Sequence, residues 1–222
     1  MMHSARWEVS EMYLSRVQID TNNRQKIRSL THLGAYHDWV ERSFPQEWER
    51  GERSRKLWRI DRLGGRQYLL VVSREAPALD ALCRYGVQGT AETKRYDPFL
   101  NALHAGEHCR FRVVLNPVVA VPAGHGERGH IRPHVTVEHQ MAYLSARAEK
   151  HGFSLQEGAY GIIARDFAFW RKGKEHVRLS RVAYEGILKI EDASLFRTLL
   201  TEGMGKKKAY GFGMMTVIPL EA

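Results

Sequence analysis

Apolar and polar residues alternate along MYLSRVQID (12–20), which places Tyr13, Ser15, Val17 and Ile19 on one face and predicts a strand. Asn22 and Asn23 follow as cap-type residues. Ile27, Leu30, Leu33, His37, Val40 and Phe44 then recur at intervals of three and four, which predicts one helical stripe ended by Pro45. KLWRIDR (56–62) and QYLLVVS (67–73) flank Gly64-Gly65 as a hairpin. APALDALCRYG (76–86) predicts a short helix with Gly86 as its C-terminal cap, and the segment after it has no clear pattern.

The order then repeats. CRFRVVLNPVVAV (109–121) predicts a strand that Pro117 bends or confines to an edge. AGHGERGHIRPH (123–134) reads as a polar loop, and Thr136 caps a helix running to about His151, ended by Gly152. AYGIIARDFAFW (159–170) and HVRLSRVAYEGILKI (176–190) predict two strands around the loop RKGKE. Asp192 caps SLFRTLLTE (194–202), and MMTVIPL (214–220) is the last strand. The fold class is therefore α+β, with tandem ferredoxin-like (βαββαβ) domains over 12–104 and 105–222 and residues 1–11 as a loose extension.

Composition narrows the partners. Of 222 residues, 34 are Lys or Arg and 25 Asp or Glu, giving a net charge of +9 and favouring a polyanionic partner. No apolar stretch approaches the ~20 residues of a membrane span, so no membrane association is expected. Cys83 and Cys109 are too few for a disulfide framework or a cysteine-rich zinc site, and a reducing cytoplasm is the natural compartment.

The candidate chemistry lies in three places. GMGKKKAYGFG (203–213) sets Gly203, Gly205, Gly211 and Gly213 around Lys206, Lys207 and Lys208. It is not a Walker A loop, because Leu200 stands where the first glycine belongs and Lys207 where Ser or Thr belongs. It is not the dinucleotide fingerprint, because Lys208 replaces the last glycine and a helix precedes it. A loop that approaches phosphates closely and a helix cap with a solvated basic turn remain equal readings. His37, in the helical stripe, is either a packed core residue or a proton-transfer group, and Tyr36 beside it is either a plain aromatic or a hydrogen-bond donor. Arg171, Lys172, Lys174, His176, Arg178 and Arg181 follow Phe169 and Trp170, which suits RNA or a solvated hairpin. His104 and His108, like His130 and His134, are spaced as helical metal ligands, but no HExxH or carboxylate set accompanies them, and no metal site is expected.

GMGKKKAYGFGMMTV resembles the C-terminal glycine-rich signature of repeat-associated CRISPR RNA-binding proteins. FRVVLNP (111–117) and MYLSRVQI resemble the second-domain opening strand and the N-terminus of one branch, the CasE (Cse3) family of the type I-E Cascade complex. LWRID and YEGILKI fit the same pattern, and the resemblance covers residues 12–221. It implies an endoribonuclease that cuts precursor CRISPR RNA at the repeat hairpin by attack of a ribose 2′-OH, without metal or other cofactor, and keeps its product beside other Cascade subunits. It implies that His37, seven residues before Phe44-Pro45, is the catalytic histidine. The family's tyrosine position is Gly34 here, so either Tyr36 substitutes or lysines stabilise the charge. Lys172, Lys174 and Arg178 are the family-implied supporting cations ahead of Tyr184-Glu185-Gly186. A catalytically silent RNA-binding subunit and a nucleotide-binding ferredoxin-like protein are the alternatives.

Overall fold

The computed structural model describes residues 11–122, 129–172 and 175–221, and the side chains of these except at 171, 172, 175 and 176. Residues 1–10, assigned above to the extension, lie outside the described residues. The first unit comprises β1 (Tyr13–Gln18), α1 (Arg24–Ile27), α2 (Leu33–Arg42), α3 (Pro45–Arg50), β2 (Leu57–Leu63), β3 (Arg66–Ser73), α4 (Leu79–Leu82), β4 (Glu92–Arg95) and α5 (Asp97–Ala102). The second comprises β5 (His108–Leu115), β6 (Val118–Val121), β7 (His130–Pro133), α6 (Val137–Ala148), β8 (Phe153–Lys172), β9 (Glu175–Ile190), α7 (Ala193–Glu202) and β10 (Met215–Pro219).

Two four-stranded antiparallel sheets result, ordered β2-β3-β1-β4 and β10-β5-β9-β8. Each is a βαββαβ sheet with its first strand between the third and the fourth. The tandem ferredoxin-like architecture is therefore present, with β6 and β7 as an added two-stranded hairpin.

Several element boundaries differ from the periodicity. The stripe from Ile27 to Phe44 is not one helix: α1 is a single turn capped by Asn23, and α2 starts afresh after His32, which is extended (φ −152°, ψ 161°). Both pieces lie on the same core, so their spacing matches that of a continuous helix. Pro45 opens α3 rather than only ending its predecessor, because a missing N–H costs nothing in a first helical turn. Gly86 is not a left-handed cap (φ −95°, ψ 165°); it is needed for space, since a Cβ there would collide with Val17. The patternless segment supplies β4, whose ETKR has no apolar residue to betray it. It is recognised instead through pairing with β1 and the Ser15–Thr93 hydroxyl contact at 3.0 Å. Pro117 splits the 109–121 strand, sending β5 into the sheet and β6 into the hairpin, and part of the expected polar loop forms β7. β8 starts at Phe153, ahead of the expected 159.

Both hydrophobic clusters draw on both units. One packs Leu57 and Val72 with Phe111, Val113, Tyr184 and Phe196, and the other packs Trp39, Phe44 and Trp58 with Val114, Ala168, Leu179 and Phe212. Arg59 of β2 is buried as well, only 2% exposed. Its Nε and Nη2 donate to the Asp61 carboxylate at 2.8 and 2.6 Å. Nη1 donates to the carbonyls of Arg112 and Met214 at 2.8 and 2.9 Å, and Nη2 also to Thr216 Oγ1 at 2.7 Å. All the N–H donors of a guanidinium are thereby used, and three of these five bonds cross to the second unit. Burying a charge is tolerable only with such complete pairing.

Arg59→Ala is therefore expected to destabilise the protein by about 3 kcal/mol, read by urea denaturation. A loss below about 1 kcal/mol would show that the guanidinium does not hold the units together.

Candidate active site

The site forms where α2 of the first unit meets β8 and the glycine-rich loop of the second. The loop leaves α7 at Gly203, makes a 3₁₀ turn over Lys208–Tyr210 and enters β10 after Gly213. Its course is dictated by β2. The Trp58 indole Nε1 donates to the Ala209 carbonyl at 2.9 Å. Gly211 lies against the face of the same indole: a Cβ there would sit 2.7 Å from the ring, and its φ of 81° already disfavours side chains. A Cβ at Gly203 would sit 2.8 Å from Leu57. Gly213 donates its N–H to the Val114 carbonyl at 2.8 Å, and Gly205 lies near the Tyr143 hydroxyl. The glycines sought as a phosphate approach thus serve contacts between and within the two units.

The three lysines divide. Lys208 Nζ donates to the carbonyls of Glu202 and Gly203 at 2.8 and 3.1 Å, closing the end of α7. Burial pushes its ammonium below the ordinary lysine value, and the nearby Arg55 charge adds to this. Lys207 lies at 4.4 Å from the Trp170 ring centre and 5.9 Å from that of Tyr210. Its backbone is left-handed (φ 66°), the sole non-glycine residue so placed among the described residues. Lys206 is exposed.

His37, half-buried, faces this turn. Its ring centre is 5.5 Å from that of Tyr210, which in turn packs on Trp170 at 4.8 Å. One helical turn on, Glu41 Oε1 lies 4.0 Å from His37 Nδ1, an electrostatic neighbour rather than a hydrogen bond. Glu41 also faces Lys56 at 3.4 Å, and Lys56 pairs with the buried Glu47 at 2.5 Å. Burial works to raise the Glu47 pKa, but the hydrogen bonds from Lys56 and Ser54 outweigh it and hold the carboxyl below its ordinary range.

Tyr36 does not share this position. Successive side chains project about 100° apart around a helix. Tyr36 stacks on Trp58 at 5.9 Å and turns into a cleft of about 450 Å³ between the sheets. Burial raises its phenol pKa, opposed by the charge of Arg181 across the cleft. Arg181 is held bidentate by Asp166 at 2.6 Å for both bonds. Arg178 lies on the other face of the β8–β9 ribbon, over the Phe167 ring at 3.4 Å. The basic cluster expected from sequence is therefore split by strand parity. Lys174 lies outside the described residues, as do the side chains of Arg171, Lys172 and His176.

At Gly34 a Cβ would come within 2.9 Å of His32 Nδ1, a buried ring nitrogen without a partner among the described residues, and within 3.7 Å of Trp170. Trp170 and the His32 ring thus crowd the place where the resemblance expects a tyrosine. The tyrosine ring that meets His37 is Tyr210, which the sequence reading passed over. The signal was present: an aromatic set between three lysines and a glycine pair is an unusual choice for a solvated turn.

Residues 12–219 match a family described as CRISPR associated protein. The chain is 28% identical over 220 residues to the CRISPR-associated endoribonuclease Cse3 of Thermus thermophilus, covering 94% of this chain and all of that one. It superposes on Cse3 bound to a 19-nucleotide RNA with a TM-score of 0.76 and 28% identity, over 94% of this chain and 100% of the other. For Thermus thermophilus Cse3 bound to an RNA representing a pre-cleavage complex the TM-score is 0.78 at 27% identity, over 94% and 100%. Cas6e of Escherichia coli K-12 shares the fold, with a TM-score of 0.67 at 20% identity over 94% and 100%.

Gly211→Ala is expected to destabilise by about 2 kcal/mol, since the methyl both collides with Trp58 and takes an unfavourable φ. Thermal denaturation checks this, and an unchanged Tm would show that the loop does not pack on the indole.

Proposed function

As the chain belongs to the CRISPR-associated protein family that includes Cse3, we propose that it is an endoribonuclease that cuts CRISPR repeat RNA and stays on the product as a Cascade subunit. The observation that carries this reading is the seating of His37 against the lysine-bearing loop of the other unit. A proton-transfer group and cations that attract a phosphate then share one rim. The net charge of +9 favours RNA as the polyanion.

The chemistry asks little of the protein. The ribose 2′-oxygen forms a bond to the adjacent phosphorus as the bond to the 5′-oxygen breaks, giving a 2′,3′-cyclic phosphate and a 5′-OH. One proton must leave the 2′-OH and one must reach the departing oxygen. His37 carries one of these transfers and water the other, and an imidazole suits either near neutrality. The nucleophile is part of the substrate, so no metal-activated water is required. Lys206 and Lys207 meet backbone phosphates, whereas Lys208 acts within the fold. Lys172 and Lys174 remain the candidates that the resemblance implies for the same charge stabilisation.

Gly34 favours a second reading, an RNA-binding subunit that does not cut. One experiment separates the two. The protein is incubated with its own repeat RNA in excess EDTA, beside His37→Ala. Cleavage by wild type with a cyclic-phosphate end, slowed about 10²–10⁴-fold in the variant, supports the enzyme. Tight binding without cleavage supports the silent subunit, and equal cleavage by both proteins removes His37 from the mechanism. In salt titrations of binding, Lys206→Ala with Lys207→Ala lowers the slope of log K against log salt by roughly 1.5, while Lys208→Ala leaves the slope and lowers Tm. An unchanged slope in the double variant would contradict the phosphate contacts.

A further inference from the structure

We propose that the Tyr210 hydroxyl is the second group of the catalytic centre, donating a hydrogen bond to a non-bridging oxygen of the scissile phosphate beside His37. The assignment rests on the endoribonuclease reading above and deepens it.

Position comes first. Tyr210 reaches His37 ring to ring at 5.5 Å and also lines the open cleft between the sheets. A phosphate bound beside the His37 imidazole therefore also meets the Tyr210 side chain. Among the described residues no protein group accepts a hydrogen bond from the Tyr210 hydroxyl, so the donor is available to a ligand.

Rigidity comes second. The 3₁₀ turn that carries Tyr210 is pinned at each end. Lys207 before it takes a left-handed backbone that a lysine adopts only at a cost, and Gly211 after it takes another. Between them the Ala209 carbonyl is held by Trp58, and Tyr210 N donates to the Lys207 carbonyl at 2.9 Å. The Tyr210 ring is packed against Trp170 at 4.8 Å. A donor fixed in this way needs no reorganisation as charge builds on the phosphate, which is what makes preorganised hydrogen bonds effective. The ammonium of Lys207, over the same two rings, adds positive potential at that spot.

Exclusion comes third. Gly34 offers no hydroxyl, and the His32 ring and Trp170 occupy its surroundings. Tyr36 is turned onto Trp58 and away from the His37 side of α2. The second unit therefore supplies from its loop the phenol that α2 does not present beside His37.

In the step, Tyr210 donates a hydrogen bond and transfers no proton. Proton movement stays with His37 and water, as the 2′-oxygen–phosphorus bond forms and the phosphorus–5′-oxygen bond breaks.

The test is single-turnover cleavage of the protein's repeat RNA by full-length wild type and Tyr210→Phe, which keeps the ring and its packing. The variant is expected to cleave about 10²-fold more slowly. Its Tm and its affinity for RNA with a 2′-deoxy ribose at the cut site are expected to match wild type. A sulfur in place of one non-bridging oxygen of the scissile phosphate is expected to slow wild type more than the variant, because the variant has already lost the bond that sulfur weakens. Wild-type rates in Tyr210→Phe overturn the assignment while leaving the endoribonuclease reading intact. An equal sulfur effect in both proteins also overturns it. If wild type binds the RNA and does not cut it, the endoribonuclease reading falls and takes this assignment with it.

Discussion

A buried guanidinium holds the two units in register. Arg59 leaves β2 of the first sheet and spends its donors on Asp61 and on three acceptors of the second unit, the carbonyls of Arg112 and Met214 and the hydroxyl of Thr216. An apolar interface alone tolerates sliding, whereas three directional bonds from one planar group, itself fixed by two more to Asp61, do not. The neighbouring β2 residues inherit that precision. Leu57 meets Gly203, and Trp58 meets Gly211 and the Ala209 carbonyl. Those contacts shape the glycine-rich loop, and the loop sets Tyr210 against His37. The site is thus a product of docking, and neither unit contains it alone.

The glycines and lysines of the loop serve different purposes although they are interleaved in sequence. Glycines at 203 and 211 make room for residues of the first unit. Lys208 closes α7 from inside, Lys207 rests on two aromatic rings, and Lys206 faces outward. In the proposed function only the last two carry charge toward the RNA. Packing and recognition therefore share one short segment, which makes the proposed chemistry sensitive to changes at the interface between the units.

Much of the architecture was legible in the sequence, because alternation and helical spacing report which faces are buried. The strand order of both sheets follows from the βαββαβ sequence of elements. What escaped had physical reasons. β4 is a polar edge strand held by pairing to β1, so hydrophobic periodicity is silent about it. The break before Leu33 leaves the stripe spacing intact. Gly86 looks like a cap and is instead a site of close packing on Val17. At the candidate site, the resemblance singled out His37 by its register before Phe44-Pro45, but the rings that His37 meets left no such signal. Tyr210 and Trp170 belong to the other unit, and a meeting across a domain interface leaves no local pattern. The division of Arg178 from Arg181 was within reach, since an odd separation along a strand puts two side chains on opposite faces.

The proposed catalytic centre lies where α2 and the glycine-rich loop meet. A crystal structure of the protein with its repeat RNA, carrying a 2′-deoxy ribose at the cut position to prevent reaction, tests it most directly. The scissile phosphate is expected within hydrogen-bonding reach, about 3 Å, of both the His37 imidazole and the Tyr210 hydroxyl. A scissile phosphate bound elsewhere, with both groups out of reach, would contradict that placement.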